Sequence, residues 1–279
     1  MGISGPSNIR NTGPILLRES IEHATRNALA SAKLPLECLT HAVLGLAGAA
    51  TDHDITTITA SLSQSFAPHT ELQITHDLKI ALIAATQGSP GIVAVAGTGS
   101  ACYGINSNGD EARTRNDDIG SGYWLTRHAL NTYSTNPSSS LARKLLKHFG
   151  ASSLSHLTSI TQKAPKDTLA KFAPTILQVA TQNDTDAQRI LNAGAQGIAT
   201  LICEVNKKLQ NNSPKIVLAG GLLENCSAYR DLVIQILTDN LETFEICQHP
   251  LTPIKGAIAL ALITAHGEII ESHWKQLTR

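Results

Sequence analysis

Behind Asn11-Thr12-Gly13, the apolar residues Ile15, Leu16, Ile21, Ala24, Ala28 and Leu29 recur at helical spacing. Pro14 precedes them, where a first helical position tolerates a missing N–H, so the spacing predicts a helix to about Ser31. The short apolar run His41–Gly48 ends in glycine and predicts a strand buried on both faces. Residues 54–65 read as helix, and 72–75 as a strand that delivers His76-Asp77 at its C-terminal end. Helix follows over 78–86, so the pattern alternates β-α-β-α, as in a parallel sheet with covering helices.

A different texture begins at Gly91. Ile92–Ala96 reads as a strand, Gly97-Thr98-Gly99-Ser100 as a turn, and Ala101–Ile105 as a returning strand before the Asn106–Gly109 turn. Such a hairpin opens a second domain, which gives boundaries of 1–90 and 91–279. Beyond Gly120 helix dominates to about Leu209, with breaks near Pro137, Pro165 and Asn183. A buried strand over Lys215–Ala219 ends at Gly220-Gly221, followed by a helix from about Ala228, a short strand near 244–247 and a helix from about Pro253. No internal repeat or low-complexity tract appears.

Composition narrows the partners. At 279 residues the chain can bury a sizeable core as one large domain or two ordinary ones. Lys plus Arg number 22 and Asp plus Glu 22, so no global field draws it to nucleic acid or an acidic membrane. The five cysteines stand singly, without metal-ligand spacing, and read as reduced thiols. Neither a basic start with an apolar run nor a membrane-length stretch is present, so the expected location is the cytoplasm.

Four segments could carry chemistry. Ala96-Gly97-Thr98-Gly99-Ser100 places glycines after a strand, where backbone N–H groups can approach phosphate oxygens; a tight hairpin uses the same residues. Asp77 stands at a strand's C-terminal end, where a carboxylate can accept a hydroxyl proton or simply cap the helix from Leu78. In Asp117-Asp118-Ile119-Gly120-Ser121-Gly122-Tyr123-Trp124 an acid precedes a helix start, suiting either a cap or a water-mediated Mg²⁺ contact. Gly220-Gly221 after a strand leaves room for an adenine ring or for close packing. The pairs Asp52-His53-Asp54 and His76-Asp77 lack a third and fourth metal ligand at suitable spacing.

In this order and spacing the segments resemble bacterial N-acetylglucosamine and glucosamine kinases and the related BadF/BadG/BcrA/BcrD-type ATPases of the actin, hexokinase and Hsp70 superfamily. The resemblance spans nearly the whole chain and implies a two-lobed, ribonuclease H-like α/β fold. By it, Gly97, Thr98, Gly99 and Ser100 look like the second phosphate motif, Asp77 like the catalytic base, and Gly220-Gly221 like the adenosine motif. Asp118 with Gly120-Ser121-Gly122-Tyr123-Trp124 looks like the D-x-G-S-G-Y-W segment, with Asp118 a candidate to hold Mg²⁺ through water. Asn8 in Gly5-Pro6-Ser7-Asn8 looks like the sugar-contacting loop, so Asn8, Asp77, Ser100 and Asp118 are expected at the sugar; Pro253 with Gly256-Ala257 resembles the closing helix. ATP and Mg²⁺ are the implied cofactors and an amino sugar the partner, with no nucleic acid or membrane; a homodimer is admitted.

Departures from the family pattern qualify this. The D-G-G-G-T type first phosphate loop is absent, and of five strands expected in the first lobe the sequence supplies two, so the expectation is a truncated first lobe with weak or no phosphoryl transfer. Between Glu111 and Asp118 the usual Gly-Trp pair is missing, and Ile119 replaces an acidic residue. Two other functions compete. One is a non-catalytic sugar-binding or regulatory relative; the other is the ATPase activator of a 2-hydroxyacyl-CoA dehydratase, whose cluster cysteines have no match in Cys102, Cys203, Cys226 and Cys247.

Overall fold

The computed structural model describes all residues except 115–117, 134–135, 248–251 and 279. In chain order its elements are α1 (Ile9–Ala32), β1 (His41–Leu46), α2 (Asp52–Leu62), β2 (Glu71–His76), α3 (Asp77–Thr86), β3 (Gly91–Ala96), β4 (Ser100–Ile105) and β5 (Glu111–Arg113). There follow α4 (Gly122–Tyr133), α5 (Ser140–Phe149), α6 (Leu154–Gln162), α7 (Lys166–Ala170), α8 (Ala173–Thr181) and α9 (Thr185–Leu209). The last are β6 (Lys215–Ala219), α10 (Gly221–Asn225), α11 (Ser227–Asn240), β7 (Glu245–Ile246), α12 (Pro253–His266) and α13 (Glu271–Thr278). The chain divides into two compact units, residues 1–89 with 249–279 and residues 90–248.

That division corrects the expected second domain at its end. Residues 249–279 return to the first unit, where α12 packs on α3 and β1. The contact is close enough that a Cβ on Gly256 would overlap the Ile80 carbonyl, so only glycine admits this helix. Covering an exposed sheet face is a tertiary task, and a helix late in the chain performs it here.

In the first unit β1 and β2 pair in parallel, from His41 opposite Glu71 to Leu46 opposite His76. Among the described residues these two strands form their own sheet. With a single strand neighbour, β1 is only partly buried from His41 to Gly45, which corrects the expectation of a strand buried on both faces. Helix α1 is interrupted at Gly13 (φ 71°, ψ 173°), a region open almost only to glycine, so Asn8 caps a first turn and Pro14 opens the long part. Leu17 and Ile21 of that part join Leu46, Ile58 and Leu62 in a core cluster.

The second unit holds a five-stranded sheet in the order β5-β4-β3-β6-β7. β3 is antiparallel to β4 and parallel to β6, so it runs between a hairpin partner and a crossover partner. Helix α9, capped by Asp184, lays a stripe including Leu191, Ala195, Ile198, Ile202 and Val205 at i, i+3, i+4 spacing into the main core. Each fully buried Ile or Val side chain of the stripe stabilises the unit by about 1.5–3 kcal/mol. Strand β5 and helices α10 and α13 have no counterpart in the sequence reading, because a three-residue strand and helices of one or two turns carry too little periodicity to read.

Candidate functional site

Two glycine turns meet at the C-terminal end of the parallel β3–β6 pair. Val95 lies opposite Ala219 in the register, so Gly97 and Gly220 leave adjacent strands side by side. Gly220 (φ 90°, ψ 154°) is pressed on β3: a Cβ there would lie 2.7 Å from the Ala96 carbonyl oxygen. Its N–H donates to Glu224 Oε1 at 2.9 Å. Gly221 is open, its nearest would-be contact being Asn225 Nδ2 at 3.7 Å. One glycine of the pair is therefore a packing residue, and the other leaves space for a ligand.

The Gly97-Thr98-Gly99 turn is both a hairpin and something more. Ala96 pairs with Ser100 and the Gly97 N–H donates to the Gly99 carbonyl at 2.9 Å, closing the turn. Its outward carbonyls are bound by α4: the N–H groups of Gly122 and Tyr123 donate to Gly97 O (2.8 Å) and Thr98 O (3.2 Å). Among the described residues the N–H groups of Thr98 and Gly99 carry no hydrogen bond, which leaves two donors in a turn whose glycines are half-buried and whose Thr98 is exposed. Ser100 is buried, and its hydroxyl donates to the Ile119 carbonyl at 2.7 Å, tying the turn to the next segment.

That segment is built on strained or close-packed backbone. Asp118 has φ 54° and Gly120 φ 75°. A Cβ on Gly120 would lie 2.5 Å from the Gly194 carbonyl oxygen of α9, so this turn admits no side chain. The Gly120 carbonyl accepts the buried Tyr229 hydroxyl at 2.8 Å, and burial holds that phenol well above its ordinary range, so it stays a donor. Ser121, not Asp118, caps α4, its Oγ accepting from the Trp124 N–H at 3.2 Å. The Asp118 carboxylate is left for other work. Its Oδ1 lies 2.6 Å from where a Gly99 Cβ would stand, and its Oδ2 accepts from Lys166 Nζ, which also sits 5.1 Å from the Tyr123 ring centroid. Asp117 lies outside the described residues.

In the first unit, Asp77 and Asn8 gather at the C-terminal edge of the β1–β2 pair. The expected cap at Asp77 falls instead on His76, whose Nδ1 accepts from the Lys79 N–H at 3.1 Å. Asp77 is the exposed first residue of α3; Oδ1 accepts from the Leu78 N–H at 2.9 Å, and Oδ2 has no partner among the described residues. Asn8 Oδ1 accepts from the Arg10 N–H at 3.1 Å and stands 2.5 Å from where a Cβ on Gly48 (φ 92°), just past β1, would be. The segment is fastened by Arg10, whose guanidinium donates to Asp54 Oδ2 at 2.8 Å. Asp54 also accepts from Thr51 Oγ1 and from the Thr51 and Ala50 N–H groups. The Arg10 hydrogen bond first, and the Thr51 hydroxyl next, hold its carboxyl well below the usual range.

Sequence reasoning missed Lys166, Glu224 and the Arg10–Asp54 clamp. Lys166 lies 48 residues from Asp118, with no local sign of its partner. The clamp had a legible half: Thr51-x-x-Asp54 is a capping box. Among the described residues no group of three or more His, Cys, Asp or Glu side chains could hold a metal ion, and no helix is long and apolar enough to cross a membrane.

Comparison with known proteins gives a consistent picture. The family described as the BadF/BadG/BcrA/BcrD ATPase family matches residues 1–264. An N-acetylmuramic acid/N-acetylglucosamine kinase of Clostridium acetobutylicum is 24% identical over 275 residues, covering 92% of this chain and 88% of that protein. A structure described as a candidate N-acetylglucosamine kinase from Chromobacterium violaceum superposes with a TM-score of 0.72 at 22% identity, over 92% of this chain and 88% of its own. A ROK family glucokinase from Streptomyces griseus, in complex with glucose and AMPPNP, gives 0.53 at 14% identity, over 88% and 87%. These likenesses show the fold, an α/β architecture shared with those structures.

Proposed function

Because the chain belongs to the BadF/BadG/BcrA/BcrD ATPase family, we propose that it is an ATP-dependent kinase of an amino sugar of the N-acetylglucosamine or glucosamine type. The observation that carries this reading is the junction of two glycine turns, distant in sequence, at one end of β3 and β6. One offers unpaired N–H donors for phosphate; the other has an open glycine at which a nucleoside can lie. The kinase name of the Clostridium acetobutylicum relative supports the sugar class.

Phosphoryl transfer depends mostly on positioning and on charge stabilisation. Thr98 and Gly99 would donate to the phosphates, while Ser100 and the α4 N–H groups hold their turn in shape. Asp77 Oδ2 would accept the proton of the sugar hydroxyl as its oxygen bonds to the γ-phosphorus; the bond to the bridging oxygen breaks and ADP leaves. Asn8, held by Gly48 and by the Arg10–Asp54 clamp, would present its carboxamide to the sugar. Mg²⁺ is usually held by one or two carboxylates together with substrate phosphates; Asp118, whose Oδ1 stands against Gly99 of the turn, would hold it through water, and the ion would neutralise phosphate charge.

A coupled assay with ATP, Mg²⁺ and, in turn, N-acetylglucosamine, glucosamine and N-acetylmuramic acid tests the reading. Formation of ADP and sugar phosphate in equal amounts is expected with one of them. Nucleotide binding without turnover on any sugar would move the reading to a non-catalytic relative.

A further inference from the structure

The cation beside the glycine turn is unexplained by the reading above. The Asp118 carboxylate is fixed in place: its backbone is left-handed, its side chain is 16% exposed, and Oδ1 is wedged against Gly99. A bare carboxylate in that position would repel a phosphate arriving at the Thr98 and Gly99 N–H groups, because like charges this close oppose each other strongly wherever water is partly excluded. Lys166 meets that charge. Its ammonium bonds Asp118 Oδ2, has two further N–H donors, and lies beside the ring of Tyr123, whose own N–H holds Thr98. Turn, carboxylate, ammonium and ring form one connected cluster within residues 90–248.

We infer that Lys166 is the positioning cation that lets the glycine turn accept a terminal phosphate, by neutralising Asp118 and offering its remaining donors to the anion. The inference rests on the nucleotide reading of the turn.

The test is calorimetric binding of AMPPNP in EDTA, with adenosine as a second probe, to the full chain and to Lys166→Gln, Lys166→Arg, Asp118→Asn and the Lys166→Gln/Asp118→Asn double variant. A lost charge-assisted contact predicts AMPPNP affinity about tenfold or more weaker for Lys166→Gln. Lys166→Arg keeps the charge and stays near the original affinity. Asp118→Asn binds at least as tightly as the unaltered chain, and the double variant recovers most of what Lys166→Gln lost. Adenosine binding stays constant throughout, which a merely structural ion pair would not predict. Unchanged AMPPNP affinity in Lys166→Gln, no recovery in the double variant, or a parallel fall in adenosine binding would overturn the role of Lys166. If the unaltered chain binds adenosine but not AMPPNP, the phosphate site and this inference both fall; if it binds neither, the nucleotide reading itself falls.

Discussion

Gly220→Ala separates the two glycines that the sequence presents as a pair. The native backbone at φ 90°, ψ 154° lies in a region essentially reserved for glycine, and holding alanine there costs about 1–3 kcal/mol. The added methyl would also stand 2.7, 2.9 and 3.0 Å from the Ala96 carbonyl oxygen, carbonyl carbon and nitrogen. All three are backbone atoms of β3, so no side chain can rotate away, and relieving the overlap by shifting a strand costs a further 1–3 kcal/mol or about that. At about 2–4 °C per kcal/mol for a unit of this size, the melting temperature should fall by roughly 5–20 °C. Gly221→Ala is the control: its methyl meets only Asn225 Nδ2 at 3.7 Å and its backbone is helical, so stability should change little while nucleotide affinity weakens. Thermal melts and AMPPNP titrations of both variants decide it. An unaltered melting temperature for Gly220→Ala, or equal destabilisation by Gly221→Ala, would refute the reasoning.

Asp77→Asn keeps the acceptor for the Leu78 N–H but removes the base, so nucleotide affinity should persist while kcat falls about 10²-fold to 10⁴-fold; an unchanged kcat would remove Asp77 from the chemistry. The depressed Asp54 carboxyl gives a pH signature: its stabilisation is complete above the ordinary carboxylate value of 3.8 and is withdrawn as pH falls below it. The stability gap between the unaltered chain and Asp54→Asn, read from urea melts, should be constant from pH 5 to 7 or so and shrink towards pH 3; a gap that widens on acidification would contradict the Arg10 clamp. Tyr229→Phe leaves the buried Gly120 carbonyl without its 2.8 Å partner, and urea unfolding should show a loss of about 1–3 kcal/mol. Stability equal to that of the unaltered chain would mean that the Gly120 turn is held by packing alone.

Legibility in the sequence followed the range of the interactions. Pro14 and Gly13 marked the start of the long part of α1 because a missing N–H and a glycine-only backbone are local properties. The hairpin around Gly97–Ser100 and strand β6 were likewise readable, since unbroken apolar runs between glycines permit little else. The cap of α3 was misplaced by one residue: Asp77 and His76 can both accept an N–H, and their backbone angles, not their types, decide which does. Asp118 looked like a cap or a metal ligand, and only folding brought Lys166 to it.

From the sequence alone came the alternation of elements, the glycine turns at strand ends, the carboxylate at 77 and the likeness to a kinase family, because periodicity and turn chemistry act between near neighbours. Tertiary structure decided the rest. It assigned Gly220 to packing and Gly221 to open space, returned residues 249–279 to the first unit, and joined Arg10 to Asp54 and Lys166 to Asp118. Each of these depends on which surfaces meet across many residues of chain. A contact of that kind has no periodicity, since its partners are chosen by the packing of whole elements rather than by spacing along the backbone.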